Sequence, residues 1–547
     1  MSLVLRARDA AGLDAVAKSV SDPASANYRK FLTGDQIAAQ FGPSTGAVDA
    51  VASFLRSKKL PVDESLLAAG VIKTSGTVSA LQDAFATQLS LYRNNDGKVF
   101  VGNDSSPKVP AQIQQYVQTV VGLDQAPTPR PSAVGSPAQA VSAAPGAGAT
   151  QAGSPVGAAP GGGFTPAQLR AAYGATGLNA AGFDGRGVQI TLEEQSPFSQ
   201  ADVDQWRAYY GMPKSAVRVI PVDGGATATN SYNDTLEVEG DIEAVYSAAP
   251  AADVVVYSLP YTYQGIVDAY AQMIKDKVRI ASTSWIDGCE STAASSFVSS
   301  LDQVLATAAA QGQTTFAASG DWGASGCLVR PTGSSAPQVD YPASDPNVTA
   351  VGATILYVNP DGSRANEITW NDMPNYSTAS GGGSSQIFAH PSWQVGSGTK
   401  PSLGRQVPDI ASVGARQWSF YLATSGPATA GWYICGGTSF ATPFTAGLVA
   451  LISQAGAGAV FGNIDPVLYQ NPWVLNNITQ GNNSVVGNPS VYSAGPGYNM
   501  TTGLGTINTL SMLPVLLGSA AARSIPGLPP IPARPSSPGL PTAPAIN

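Results

Sequence analysis

The chain reads as an α/β protein built on a parallel sheet, with a smaller α+β domain ahead of it, on three observations. Continuous apolar runs (Val188-Gln-Ile-Thr-Leu192, Ala252-Asp-Val-Val-Val-Tyr257, Arg279-Ile-Ala-Ser-Thr283 and Gln313-Thr-Thr-Phe-Ala-Ala318) are separated by helix-length stretches. Strands that are apolar on both faces are the mark of a parallel sheet covered by helices on either side. A segment rich in Ala, Pro, Gly, Ser and Gln, residues 126–163, cuts the chain in two. Ahead of it, residues 1–125 alternate short strand-like and amphipathic segments.

In that first part the expected elements are a strand at Leu3-Val-Leu-Arg-Ala7, helices over residues 10–20, 34–41, 45–60 and 78–85, and strands at Gly70-Val-Ile-Lys-Thr74 and Leu89-Ser-Leu-Tyr92. Asn94-Asn-Asp-Gly97, set between Leu-Tyr and Val-Phe-Val, is a hairpin turn signal. The segment 126–163 ends in Gly161-Gly-Gly163 and has too little apolar surface to order itself, so it is expected to be an unstructured linker holding a cleavage point. Thr165-Pro-Ala-Gln-Leu-Arg-Ala-Ala-Tyr173 then opens the second domain, residues 164–517, with proline in the first helical turn. A Pro-rich tail without periodicity, residues 518–547, is expected to be disordered.

Composition narrows the function. The 547 residues hold 28 basic and 36 acidic side chains, a formal net charge of −8, and no basic face suited to nucleic acid. No apolar run reaches the length of about 18 residues that a membrane-spanning helix needs. Few charges and much Gly, Pro, Ser and Thr suit an extracellular protein in acidic surroundings, although this chain shows no signal peptide. Three cysteines allow one intrachain disulfide. Cys289 and Cys327, each in a Gly-rich loop, are the expected partners, and Cys435 is expected to be a buried thiol.

The stretch richest in chemistry is Gly436-Gly-Thr-Ser-Phe-Ala-Thr-Pro443, which runs into the apolar segment 444–452. It sets Ser439 at the start of a buried helix, where backbone N–H groups favour a developing oxyanion. Thr438 or Ser439 would serve equally as an ordinary helix cap. Between those readings the deciding question is whether a base exists. His390 is the one histidine in the chain, so a histidine mechanism uses that residue or none, and a carboxylate is the expected base. That choice moves the working range toward acid.

Carboxylates are concentrated in Asn233-Asp-Thr-Leu-Glu-Val-Glu-Gly-Asp-Ile-Glu243, which contains no basic residue. Glu237 and Asp241 stand at i,i+4 on the apolar side of the predicted helix. A like-charged pair there is costly unless it shares a proton, which is what an acid/base dyad does. Glu239 and Glu243 point elsewhere and are expected to be plain surface acids. Asp321, in Ser319-Gly-Asp-Trp-Gly323, lies at the carboxyl end of a predicted strand, where α/β sites sit, and is either a turn cap or a protonated donor to an oxyanion.

These motifs, with Tyr28-Arg-Lys-Phe-Leu32, Gln40-Phe-Gly-Pro43, Ser75-Gly-Thr77 and Val120-Val-Gly-Leu123 in the first domain, resemble the sedolisin family of serine-carboxyl peptidases in its kumamolisin-like form, activation prodomain included. The resemblance implies a subtilisin-like parallel α/β fold behind a ferredoxin-like prodomain that blocks the cleft. It also implies a polypeptide substrate and a secreted, monomeric, acid-active endopeptidase made as a zymogen. Ser439 matches the nucleophile, Glu237 the general base, Asp241 its supporting acid and Asp321 the oxyanion acid. Glu194 and Trp285 match an extended hydrogen-bond network, with Glu193 as an adjacent alternative to Glu194. A tripeptidyl exopeptidase on the same machinery and a non-catalytic wall-binding protein anchored by the tail are the rival readings.

One segment departs from the family. Its calcium loop matches residues 477–499 here, with Asn477 and Asn499 at both aspartate positions. Calcium affinity depends strongly on ligand charge, so weak or absent calcium is expected, with asparagine hydrogen bonds holding the loop.

Overall fold

The computed structural model describes the chain apart from residues 94–98, 126–129, 132–152, 228–231, 287, 292, 294, 329–333, 424–430, 486–490 and 533–547. In the first part, β1 (Ser2–Leu5) is followed by α1 (Ala10–Ser21), α2 (Gly34–Gln40) and α3 (Thr45–Ser57). Then come β2 (Val71–Lys73), α4 (Val78–Phe85), β3 (Leu89–Arg93), β4 (Val99–Asn103) and β5 (Val117–Val121). Side-chain caps at Thr33, Ser44 and Thr77 start α2, α3 and α4.

The sheet has three antiparallel strands in the order β2-β1-β5, and β3 and β4 pair separately as a hairpin. The expected turn at 94–97 lies outside the described residues. Strand alternation divides β1 between two cores. Leu3 and Leu5 face α3 and α4, and Val4 joins a cluster with Ile266 and Phe297 of the following domain. On the same side Leu13, Ala17, Ile37 and Phe41 pack against Ala306, Ala309 and Ala310.

The second part is organised by a ten-stranded sheet. Its elements include β6 (Gln189–Glu194), β7 (Arg218–Pro221), α5 (Tyr232–Ala248), β8 (Asp253–Ser258), α6 (Tyr263–Lys275), β9 (Ile280–Thr283), α7 (Ser295–Gln311) and β10 (Thr314–Ala318). After them come β11 (Thr349–Val358), β12 (Arg364–Thr369), β13 (Ile410–Val413), α8 (Thr438–Ala455), β14 (Leu475–Asn476) and β15 (Thr506–Ile507). The order is β14-β15-β13-β11-β10-β9-β6-β8-β7. All pairings along it are parallel except β14 with β15, and β12 pairs antiparallel to β11.

Val254 and Val256 face the core that holds α5 and α8, whereas Val255 and Tyr257 face α6 and α7. The sheet is thus buried on both sides, as its apolar strands require. Helix α8 is buried from Thr438 to Ser453 and lies against α5. A Cβ on Gly240 of α5 would stand 2.4 Å from the Phe440 ring, so this close approach depends on glycine there.

Order extends further than the composition of the flanking segments suggests. Within the expected linker, residues 130–131 form a short strand antiparallel to Trp285–Ile286. Ser154 bridges to Val358, and Ala159 and Pro160 are buried. The tail forms a helix at Ser519–Arg523, and Ile525, Leu528 and Ile531 pack against the main core. Prolines and alanines suffice there because a neighbouring surface supplies the burial that the segments lack by themselves.

Candidate active site

Ser439 is the second residue of α8 and is fully buried. The helix begins after Gly437 with no side-chain cap, so neither Thr438 nor Ser439 is spent on capping. Among the described residues the Ser439 hydroxyl has no hydrogen-bond partner. Its backbone carbonyl accepts from Ser284 Oγ at 2.9 Å.

Asp321 follows β10 and is held by the residue beside the serine. Its Oδ1 accepts from both the backbone N–H and the hydroxyl of Thr438, each at 2.8 Å. Burial pushes its carboxyl well above the ordinary carboxylate range, against the lowering effect of those two bonds. With Oδ1 committed as acceptor, a proton on this carboxyl belongs on Oδ2, which has no partner among the described residues. The raised pKa favours the protonated form, in which Oδ2 is a hydrogen-bond donor. Gly320, at φ +105°, makes the turn that aims it, and Gly320 N–H donates to Thr438 Oγ1 at 3.1 Å.

Glu237 and Asp241 lie one turn apart on α5, both fully buried. Burial is the first cause that raises the Asp241 carboxyl, followed by the charges of Glu194 and Glu237. Glu194, at the end of β6, accepts from Trp285 Nε1 at 2.8 Å and is pushed by burial up to about 8. Glu193 is turned to other partners, Thr283 Oγ1 at 2.5 Å and Gln195 Nε2 at 3.0 Å. The Asp241 carboxyl feels the charges of Glu194 and Glu237 and the dipole of Ser284, the residue whose hydroxyl donates to the Ser439 carbonyl.

Two expectations need correction. Glu239 and Glu243 are not surface acids, since both are wholly buried. Glu239 accepts from Ser199 N–H at 2.8 Å, and Glu243 from Tyr421 N–H at 3.4 Å. Helix α5 is enclosed on every side, so its second acidic stripe faces protein where a surface helix would meet water. His390 lies apart from the cluster and pairs with Gln406 at 3.2 Å. The sequence marks Thr438 only as a candidate helix cap and Ser284 not at all; their signals are the Thr directly ahead of Ser439 and the second Ser in Ser282-Thr-Ser-Trp285.

Cys289 and Cys327 are joined as a disulfide near the turn that carries Asp321, and Cys435 is a buried free thiol held neutral by its burial. Among the described residues of the loop 477–499, both Asn477 and Asn499 are engaged in hydrogen bonds within the protein. Asn477 Oδ1 accepts from Gly497 N–H at 3.0 Å, and its Nδ2 donates to Gly497 O at 2.6 Å. Asn499 Oδ1 accepts from the N–H groups of Thr501 and Thr502, and its Nδ2 donates to Ile478 O at 3.2 Å. Backbone donors orient both amides, which fixes their N–H groups on carbonyl oxygens that a cation would otherwise need. The segment does not fit calcium.

Known proteins resemble the chain along most of its length. Residues 1–126 match the family model "Pro-kumamolisin, activation domain", and residues 225–464 match "Subtilase family". The chain is 33% identical to kumamolisin of Bacillus sp. (strain MN-32) over 515 residues, covering 90% of this chain and 87% of that protein. It is 30% identical to sedolisin of Pseudomonas sp. (strain 101), covering 92% and 84%. Tripeptidyl-peptidase 1 of Homo sapiens is 26% identical, covering 94% and 91%. Among solved structures, Pseudomonas sedolisin, a serine-carboxyl proteinase complexed with two molecules of pseudo-iodotyrostatin, aligns with a TM-score of 0.55 at 27% identity. That alignment covers 66% of this chain and 97% of that one.

Proposed function

The chain belongs to the sedolisin family of serine-carboxyl peptidases and carries an activation prodomain, and from that premise we propose that it is a secreted, acid-active endopeptidase made as a zymogen. Ser439 Oγ attacks a peptide carbonyl while Glu237 takes its proton. Burial raises the carboxyls of Asp241 and Glu194, which favours their protonated forms, and Glu237 is the proton acceptor in this reading. The Asp321 hydroxyl donates to the tetrahedral oxyanion, and Glu237 then returns its proton to the leaving amine. Water hydrolyses the acyl-enzyme by the same route in reverse.

The observation that carries this reading is the buried Asp321 carboxyl, tied through Oδ1 to Thr438 immediately before Ser439 and with Oδ2 unpartnered among the described residues. A neutral carboxyl is a donor only while it keeps its proton, which is why the mechanism belongs to acid conditions.

Endopeptidase action is favoured over release of tripeptides by the strand at residues 130–131. It pairs with Trp285–Ile286 beside the acid cluster while the chain continues from it in both directions. A cleft that accepts the middle of a chain has no need of a free amino terminus. The same pairing supports the prodomain as an intramolecular inhibitor, with the boundary between prodomain and enzyme in the segment that follows residue 125.

The test is to bring the purified full chain to about pH 4, a range set by carboxylate pKa values, and to follow its intact mass. Loss of about the first domain by the wild type, and none by Ser439→Ala, is expected. Equal conversion of both would overturn the assignment, and a product ladder of successive tripeptides from a long peptide would replace the endopeptidase reading.

A further inference from the structure

Pro443 lies inside α8, four residues beyond Ser439. In an uninterrupted helix the N–H of residue 443 would donate to the carbonyl of residue 439. Proline has no N–H, and its ring crowds the carbonyl four residues back. The Ser439 carbonyl thus loses its helical partner in a fully buried position, where an unpaired acceptor is costly. Ser284 Oγ occupies that vacancy at 2.9 Å and is itself fully buried.

Ser284 is the middle of three consecutive side chains that grip the site. Thr283 Oγ1 holds Glu193, Ser284 Oγ holds the Ser439 backbone, and Trp285 Nε1 holds Glu194. The segment after β9 therefore ties the helix bearing the serine to the strand end bearing the acids. Because the Ser439 hydroxyl has no hydrogen bond of its own, its location is set by its backbone.

We propose that Ser284 is a positioning residue that sets Ser439 against the acid cluster by replacing the helical hydrogen bond that Pro443 removes. This rests on Ser439 being the nucleophile. The test is a double-mutant cycle of Ser284→Ala in the wild-type and Pro443→Ala backgrounds, measured as kcat and KM per active site titrated with a covalent serine-directed probe.

In the wild-type background Ser284→Ala is expected to lower kcat by about 10- to 100-fold with KM little changed, since small misplacement of a reacting atom has effects of that order. Ser284→Thr keeps the hydroxyl and is expected to retain most of kcat. In the Pro443→Ala background, where residue 443 regains an N–H, the same Ser284→Ala change is expected to lower kcat by no more than about threefold, the remainder of that loss once the backbone bond is restored. Unchanged kcat for Ser284→Ala, or a loss of equal size in both backgrounds, would overturn the proposal. Should Pro443→Ala fail to fold, Ser284→Thr decides: a loss as large as that of Ser284→Ala overturns it. Full activity of Ser439→Ala would instead overturn the nucleophile assignment, so the two failures are distinguishable.

Discussion

Helix α5 carries two pairs of acids, Glu237 with Asp241 and Glu239 with Glu243, with the same spacing, the same side-chain chemistry and full burial. Their surroundings differ. Glu239 and Glu243 receive backbone N–H groups from Ser199 and Tyr421, which join α5 to its neighbours. Asp241 faces Glu194, Glu237 and Ser284, a set of acids with a hydroxyl in place of amide donors. Burial alone therefore does not mark a working carboxylate. A fixed amide donor ties an acid to structure, whereas crowding by other acids leaves a proton to be passed among them.

Asp321 sharpens the contrast, because it combines both features: one oxygen is fixed by Thr438 and the other is unspent. Asp321→Ala is expected to lower kcat by about 10²- to 10³-fold, the effect of losing one oxyanion donor. Asp321→Asn keeps an acceptor for Thr438 and supplies an N–H donor, so it is expected to retain more activity. It also has no proton to lose. In the proposed mechanism the wild type needs a protonated Asp321 and is expected to lose activity as pH rises through that raised pKa, whereas the Asn variant is expected to lack that contribution to the alkaline limb. Rates of both variants across pH check this, and equal losses for Asn and Ala would remove the donor role.

The structural pair makes a prediction of opposite kind. Burial raises the Glu239 carboxyl, and burial followed by the Glu239 charge raises that of Glu243. The folded state then holds protons that the unfolded chain releases above the ordinary carboxylate range, so these groups favour folding most in acid and progressively less as pH rises. Glu239→Gln/Glu243→Gln is expected to flatten the fall of Tm between acid and neutral pH by a few degrees while sparing activity in acid. Thermal melts across pH check it, and an unchanged slope would count against buried ionisation at this pair.

Smallest of all is the expected response to calcium. Chelator and added calcium are both expected to leave the Tm unchanged, and Asn477→Asp/Asn499→Asp is expected to acquire a calcium-dependent rise. Metal retained by the wild type after dialysis against chelator would contradict the amide-held loop.

How much of this was legible beforehand follows from what a linear pattern records. The parallel sheet showed in its apolar strands, and Glu237 and Asp241 in an i,i+4 spacing. The scarcity of histidine points to carboxylates. The burial of Glu239 and Glu243 was hidden, because helical periodicity shows which residues share a face and says nothing about how many faces are covered. Ser284 is hidden because its role arises from a hydrogen bond missing at Pro443, 159 residues further along the chain, a vacancy that only the assembled helix creates. Residues 153–163 and 519–531 show a related effect: their composition lacks a core of its own, and the burial they find is supplied by the adjoining domain.

The division of α5 is tested most directly by measuring kcat/KM of Glu237→Gln and Glu239→Gln side by side on one peptide at about pH 4. Glu237→Gln, which cannot accept the serine proton, is expected to lose about 10³-fold or more, while Glu239→Gln, which keeps its oxygen for Ser199, is expected to stay within about threefold. Comparable losses in both, or an active Glu237→Gln enzyme, would contradict the account.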